Sequence, residues 1–460
     1  SLSNTTLASI DDADHATDHD AVSAAGGVSV VAAARESIDS VAVAAGGGQV
    51  GVSGSAVRIK SDAVTRASVS DRVLNAASLT VKADYSLDQQ LVVVGAAGGL
   101  AGIGAGVGVA LFDASTSATV SGSQVTVTGA IDVAATSAHN SRAAVASAAV
   151  GVGAVAGSVM VAEVGGDTTA YLGGTVSAGG AVSVTAHDTV SINQGGAWMT
   201  GMIAAGGVGA GAAVEVLTVR RDVTASVGAA SMVTAAGDVL VDALARRDID
   251  SRVIAFGGGA FGGVAGSVSV VSVGQGMGSQ DAGEADNAQG AIDGGFGTKA
   301  SSGMGSDGTA ARAGSVAQAA AFTATLAAST GRVAGTTAYV GRGATVRSTG
   351  GKLDVKASDV VDIGALSGGG AVGGFVGIGG AIAIVNLSDN TEAYVGAAAT
   401  LSAAGAVGGR GRGWCNDACA GRRQRPDARR AGRWRLHQCR REHMDRLRLG
   451  RKRRAHHRGS

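Results

Sequence analysis

The sequence predicts an all-β chain: a right-handed parallel β-helix (β-solenoid) with one long loop insertion and a basic tail outside the repeat. Three observations predict it. Two short phrases recur in phase every 51 to 57 residues, with one step of 113 or 114. Within each recurrence, β-branched residues alternate with Gly and Ala, the period of a strand. Finally, 77 of 460 residues are Gly and one is Pro. That excludes collagen, which needs abundant Pro. A content of 45% hydrophobic and 16% charged residues argues against disorder over most of the chain.

Residues 1–22 read as an acidic, polar lead segment. Its cluster Asp11-Asp12-Ala13-Asp14-His15 to Asp18-His19-Asp20 is dense in carboxylate and imidazole, and reads as a solvated terminus rather than a cation site. The opening Ser1-Leu2-Ser3-Asn4 reads as part of a longer protein.

The repeats occupy residues 23–275 and 315–409. The first phrase is Ala67-Ser68-Val69, Ala118-Thr119-Val120, Ala170-Tyr171-Leu172, Ala225-Ser226-Val227, Ala338-Tyr339-Val340 and Ala393-Tyr394-Val395. The second is Leu79-Thr80-Val81, Ile131-Asp132-Val133, Val182-Ser183-Val184, Val239-Leu240-Val241 and Leu353-Asp354-Val355. After each comes a Gly/Ala/Val run such as 99–112 or 368–387, read as a long Gly-rich double strand. Polar triplets such as Asp113-Ala114-Ser115 and Ser388-Asp389-Asn390 read as corners. At roughly 25 residues per turn, a unit fits two or three turns of the helix, and the body stacks about 16 turns into a rod on the order of 80 Å long.

Residues 276–314 break the beat. They are rich in Gly, Ser, Ala and Asp, without apolar period, and read as a flexible insertion extruded from the repeat. Residues 410–460 do not continue the repeat. They hold 18 of the 37 Lys and Arg but 4 of the 36 Asp and Glu, so this tail carries +14 and the rest of the chain −13. All three Cys and the single Pro lie there. The tail reads as unstructured, or as the out-of-frame product of a GC-rich gene. The body without Cys is held by burial and backbone hydrogen bonds alone.

No catalytic, cofactor or metal site is assigned. The one ligand set with zinc-like spacing is Cys415-x3-Cys419-x19-Cys439-x3-His443, and no zinc-module pattern surrounds it. Specific nucleic-acid binding is not expected, although a basic tail attracts polyanions. The best carboxylate cluster for polysaccharide chemistry is Asp242 with Arg246, Arg247, Asp248 and Asp250, read as a charged corner. Tyr171, Tyr339 and Tyr394 read as a stacked ladder. Residues 92–112 carry no charge over a length that spans a bilayer as a helix, but their recurrence and alternation indicate strands, so no transmembrane span is expected.

The Gly-rich run followed by Thr-x-Ala-Tyr-Val-Gly, clearest at 379–396, resembles large bacterial surface proteins of the β-strand-repeat and filamentous-haemagglutinin-like kind, including leukotoxin-type adhesins. The resemblance covers roughly 23–275 and 315–409. It implies a fragment of a secreted or surface-attached, non-catalytic adhesive shaft. Its partners would be glycans or proteins of host or neighbouring cells, and its ends could self-associate. The readings left beside it are a polysaccharide-degrading β-helix enzyme and a cytotoxin-type passenger acting on host membranes.

Overall fold

The computed structural model describes residues 1–11, 21–70, 72–194, 198–274 and 334–416, with side chains as far as Gly411. Among these, all regular structure is strand and none is helix. In chain order the strands are β1 (Leu2–Ile10), β2 (Ala21–Ser23), β3 (Gly27–Gly46), β4 (Val50–Ser70), β5 (Val73–Ala76), β6 (Ser78–Gly98) and β7 (Ala101–Ser121). Then follow β8 (Gln124–Val127), β9 (Ile131–Leu172), β10 (Thr175–Ala178), β11 (Val182–Ile192), β12 (Thr200–Val227), β13 (Met232–Ala235) and β14 (Val239–Val273). The last are β15 (Gly335–Val340), β16 (Thr345–Ser348), β17 (Leu353–Gly373), β18 (Val376–Leu387), β19 (Asn390–Val395), β20 (Thr400–Ala403) and β21 (Val407–Asn416).

Every pairing between these strands is parallel, and the recurring phrases lie directly on one another. Ala67 pairs with Ala118, Ala118 with Ala170, Ala170 with Ala225, Ala225 with Ala338, and Ala338 with Ala393. Leu79, Ile131, Val182, Val239 and Leu353 form a second column. Ala thus falls on Ala, and Leu, Ile and Val on one another, at the same height on successive strands, which is the packing a parallel sheet buried on one face rewards.

One unit is one rung. A long first arm such as β6 runs out, the chain reverses at Gly99 and Leu100, and a long second arm such as β7 runs back. A four-residue strand such as β8 then leads to the next unit. The two arms of a unit are not paired as sheet neighbours. β6 bonds β3 and β9, while β7 bonds β4 and β9, so the arms belong to different layers. This corrects the expectation of two or three turns per unit. The short strands form a seven-stranded sheet. Six steps of ~4.8 Å make a stack about 29 Å high, while a 21-residue arm spans roughly 70 Å. The stack is broad and shallow, not an 80 Å rod of about 16 turns.

The Gly content explains how the arms lie so close. A Cβ on Gly95 would stand 2.0 Å from the Ala105 carbonyl oxygen of the facing arm. Equivalent conflicts arise at Gly46 with Val52, Gly257 with Val264 and Gly369 with Gly380. Near the arm ends, therefore, backbone packs on backbone. At the other end of the arms Leu74, Leu79, Val81, Val120, Val125 and Ile131 fill a wider core. Burying each such side chain stabilises the fold by about 1.5–3 kcal/mol. A corner glycine, Gly174, has φ of +93° and would place a Cβ 2.2 Å from the Ser123 carbonyl oxygen, so no L side chain fits there.

Three placements differ from the sequence reading. Leu2–Ile10, inside the polar lead segment, is strand β1 and pairs with β4 from Leu2↔Ser61 to Ile10↔Val69. Asp113-Ala114-Ser115 is no corner but runs through the middle of β7. The basic tail's first residues extend β21 as far as Asn416, across the expected boundary at Gly409, because backbone pairing with β17 makes little demand on side chains. The insertion 276–314 and the tail from residue 417 lie outside the described residues.

Candidate functional site

The densest polar chemistry among the described residues lies inside the molecule, between facing arms. One inward column on the first arms reads Glu36, Leu87, His139, Val190, Arg247 and Val361. The column two residues earlier contains Tyr85, Ser137, Asp188, Ala245 and Asp359. From the second arms Ser61, Thr168, Arg221, Thr336 and Asp389 meet them.

The layer is continuous across the rungs. Tyr85 and Ser61 donate their hydroxyls to Glu36 Oε2 at 3.1 and 2.7 Å. The Tyr85 ring lies 5.4 Å from that of His139. Arg221, fully buried, donates Nε to Asp188 Oδ1 at 2.8 Å and Nη2 to Ser137 and Thr168. Its Nη1 faces the carbonyls of Gly165 and Ala114, at 2.6 and 3.3 Å, and His139 Nε2, at 3.2 Å. The five N–H donors of the guanidinium are thereby all engaged. A guanidinium accepts nothing, so His139 Nε2 is the acceptor and the imidazole is neutral, with its proton on Nδ1. Burial, and then the Arg221 charge, hold the His139 pKa well below its ordinary value, in agreement with a neutral imidazole.

Arg247 repeats the arrangement two rungs from His139. Its Nη2 donates to the Arg221 carbonyl at 3.0 Å, and its Nη1 to Asp389 at 2.6 Å and to Asp359. Burial opposes the Arg247 charge, but Asp359, Asp389 and Asp188 outweigh it and raise its pKa. Burial also works against the Asp359 carboxylate, yet Arg247 holds its pKa below the usual range. Asp389 goes the other way, raised by burial and by the adjacent Asp359 against the pull of Arg247. Of this pair around Arg247, the proton is therefore held more readily on the Asp389 side.

A second polar pocket lies further along the arms. Glu215 is fully buried beside the hydroxyls of Thr200 and Ser251, and Ser251 Oγ lies 2.6 Å from Ser269 Oγ. Burial pushes the Glu215 carboxyl up to about 8, against those hydroxyl contacts, so it is an uncharged acid at neutral pH.

These groups are shielded from solvent, so their chemistry is structural. They hold two Gly-lined arms together by directed, charge-assisted bonds where shape alone would let them slide. Sequence reasoning missed their pairing because the partners are scattered: Arg221 and Asp188 are 33 residues apart, Arg247 and Asp359 112 apart. The signal was present in the phase of the phrases, which puts Glu36, His139 and Arg247 in one column with Leu87, Val190 and Val361.

The expected cluster at 242–250 is divided. Arg247 points inward, whereas Asp242, Arg246, Asp248 and Asp250 lie on the outer face of β14, mid-strand and not at a corner. Burial and then the neighbouring Asp362 and Asp250 raise the Asp248 pKa, with Arg246 opposing. The Gln194 amide donates to Asp248 at 2.8 Å. Tyr339 and Tyr394 stack, with ring centroids 5.1 Å apart and 3° between planes. Tyr171 shares their column, but Ser226 intervenes. Of the zinc-like set, Cys415 falls on β21 opposite Val361, while Cys419, Cys439 and His443 lie outside the described residues, as do His15 and His19. Among the described residues no three His, Cys, Asp or Glu gather as metal ligands, and no helix is long and apolar enough to cross a membrane. Compared with protein-family models, curated proteins and solved structures, the chain matches none.

Proposed function

We propose that the chain is a stretch of right-handed parallel β-helix, a β-solenoid, forming a non-catalytic adhesive shaft of a secreted bacterial surface protein of the filamentous-haemagglutinin-like kind. One observation carries the reading: each unit stacks on the last with its phrases in register, so every rung covers the hydrogen-bonding edge of its neighbour. Such a stack grows in one direction by repetition and spaces whatever it carries. The buried ionic layer supports the shaft, because it ties the arms of successive rungs together. Broad outer faces suit many weak contacts with glycans or proteins of host or neighbouring cells. The open edges of the terminal rungs suit end-to-end self-association.

The test uses the purified chain on beads. Weak, saturable attachment to cell surfaces, unchanged in D248N and D362N, is the expected result. Release of oligosaccharides from acidic polysaccharides, abolished by D248N, would overturn it in favour of a polysaccharide-cleaving enzyme. Dye leakage from lipid vesicles would overturn it in favour of a membrane-active passenger.

A further inference from the structure

The tips of the arms, on either side of the reversals, differ from the rest of the surface. In the four interior rungs, those of β6–β7, β9, β11–β12 and β14, residues 91–112, 143–162, 198–214 and 253–273 contain no Asp, Glu, Lys, Arg or His. Large apolar side chains face outward there. Val150, Ile203 and Phe256 lie on the first-arm face, and Leu100, Val152 and Phe261 on the rim where the chain reverses; all six are 40 to 63% exposed. On the second-arm face Ile103 and Val155 are half-buried. Along the rim Phe261 continues into Phe375 of the next rung, their rings stacked with centroids 6.4 Å apart. Soluble surfaces rarely gather apolar groups so contiguously.

The backbone at these tips does not depend on water. Each interior arm is hydrogen-bonded along both edges, β9 to β6 and β7 on one side and to β12 on the other. The reversals are bonded from rung to rung as well. Gly99 N–H donates to the Val150 carbonyl and Gly153 N–H to that of Leu100, both at 3.1 Å, and Phe375 N–H donates to that of Phe261 at 3.3 Å. A chain reversal ordinarily turns unpaired backbone groups to solvent, and hydrocarbon tolerates none. Here the tip can leave water with those groups still paired.

We propose that this rim of arm tips docks on a lipid bilayer and rests in one leaflet. Ile203 precedes Gly207, and Phe256 precedes Ala260, by four residues, which places both side chains about 13 Å behind the rim at ~3.3 Å per residue. Half of a ~30 Å hydrocarbon core is ~15 Å deep. On β14 the nearest charge, Arg252, lies eight residues before Ala260, about 26 Å back. The exposed apolar groups therefore fit within one leaflet while every charge stays outside it. A second copy of the chain is the poorer occupant. Laid on one face, it leaves the other face and the rim in water, and stacking rung on rung covers only strand edges. A fluid medium wraps both faces and the rim together. Such docking needs no receptor and so goes beyond the adhesive reading.

Flotation of the full chain with phosphatidylcholine vesicles tests this. The vesicles carry neither glycan nor protein, so the outcome is read separately from attachment to cells. The chain should float with them, equally at low and high salt because no charge is engaged, and without releasing an entrapped dye. L100E/F261E sets two carboxylates on the rim and should lower the apparent affinity for vesicles about tenfold or more. V64E, at a 39% exposed site away from the tips, should leave it unchanged. No flotation of the parent chain, equal flotation of L100E/F261E, or dye release on binding would overturn the proposal. A parent dimer that L100E/F261E converts to monomer, with the vesicles left bare, would overturn it in favour of a second copy. A further measurement does not depend on the charged variant folding. With Cys415, Cys419 and Cys439 changed to Ser, an environment-sensitive fluorophore on L100C should shift to the blue with vesicles and be quenched by spin labels in the acyl chains, and the same fluorophore on V64C should do neither. Unshifted emission from L100C would overturn it.

Discussion

Arg221 shows what single residues contribute. Its guanidinium neutralises Asp188 and closes hydrogen bonds from three rungs at once, to Asp188, Ser137 and the Ala114 carbonyl. Removing one partner of such a buried pair leaves the other charge uncompensated, which costs about 3–5 kcal/mol, whereas replacing both by apolar groups of similar volume is often neutral. We therefore expect R221A to lower the unfolding free energy in urea by about that amount, and R221L/D188L to recover most of it. Glu215 gives a prediction with a pH signature. Its folded pKa of about 8 lies above the ordinary 4.5. The native state therefore holds the proton more tightly, and that contribution is complete below pH 4.5 and lost as pH rises through 8. E215Q removes this dependence. Its stability relative to the parent should rise between pH 5 and 8 by up to about 1.4 kcal/mol per pH unit, read from denaturation at each pH. A flat difference across that range would place the carboxyl in contact with water. Neither residue stood out in the sequence, because each departs from the repeat only once. Repetition advertises the shared columns and hides the exceptional members that make the directed bonds.

At the level of the arm, strand character was legible and its extent was not. Alternation of Val and Ile with Gly and Ala marks strand whether a run wraps around several corners or doubles back on itself. The decisive fact is the contact at Gly95, where no Cβ can stand, and that depends on the facing arm and not on the local pattern. The polar triplet at 113–115 misled for a related reason. Polar residues usually mark turns, but here they mark the level at which Thr168, Arg221 and their partners bond between the arms. The close approach makes G95V damaging: the facing backbone must shift, at a cost of about 1–3 kcal/mol or more. Gly98, three residues on, has nothing within 4 Å of an added Cβ. G98A should stay within about 0.5 kcal/mol of the parent. Equal thermal shifts for the two variants would mean that the arms do not touch.

For the whole molecule, the size of the repeating rung decides how the chain responds to deletion. Ile131 lies on Leu79 and beneath Val182, 51 residues later. Excising residues 131–181 removes one rung and sets Val182 on Leu79 and Ala225 on Ala118, with every phrase still in register. Arg221 would lose His139, Ser137 and Thr168, so some stability goes with them. The stack should nonetheless fold, because each rung interacts only with its neighbours. Its height, read by X-ray scattering, should fall by ~4.8 Å. Excising residues 131–155 is a smaller deletion with a larger effect. It takes a first arm and its reversal but leaves the second arm, which then has no partner across the interior and no path back to its own layer. Turns of about 25 residues would make that shorter deletion the harmless one. Retained strand signal and cooperative melting after removal of 131–181, with loss of both after removal of 131–155, distinguishes a single rung per unit from two. The same arithmetic explains why the 113- and 114-residue steps are tolerated: the chain between Gly274 and Ala334 leaves and returns at one level, so it adds length to the sequence without adding a rung to the stack.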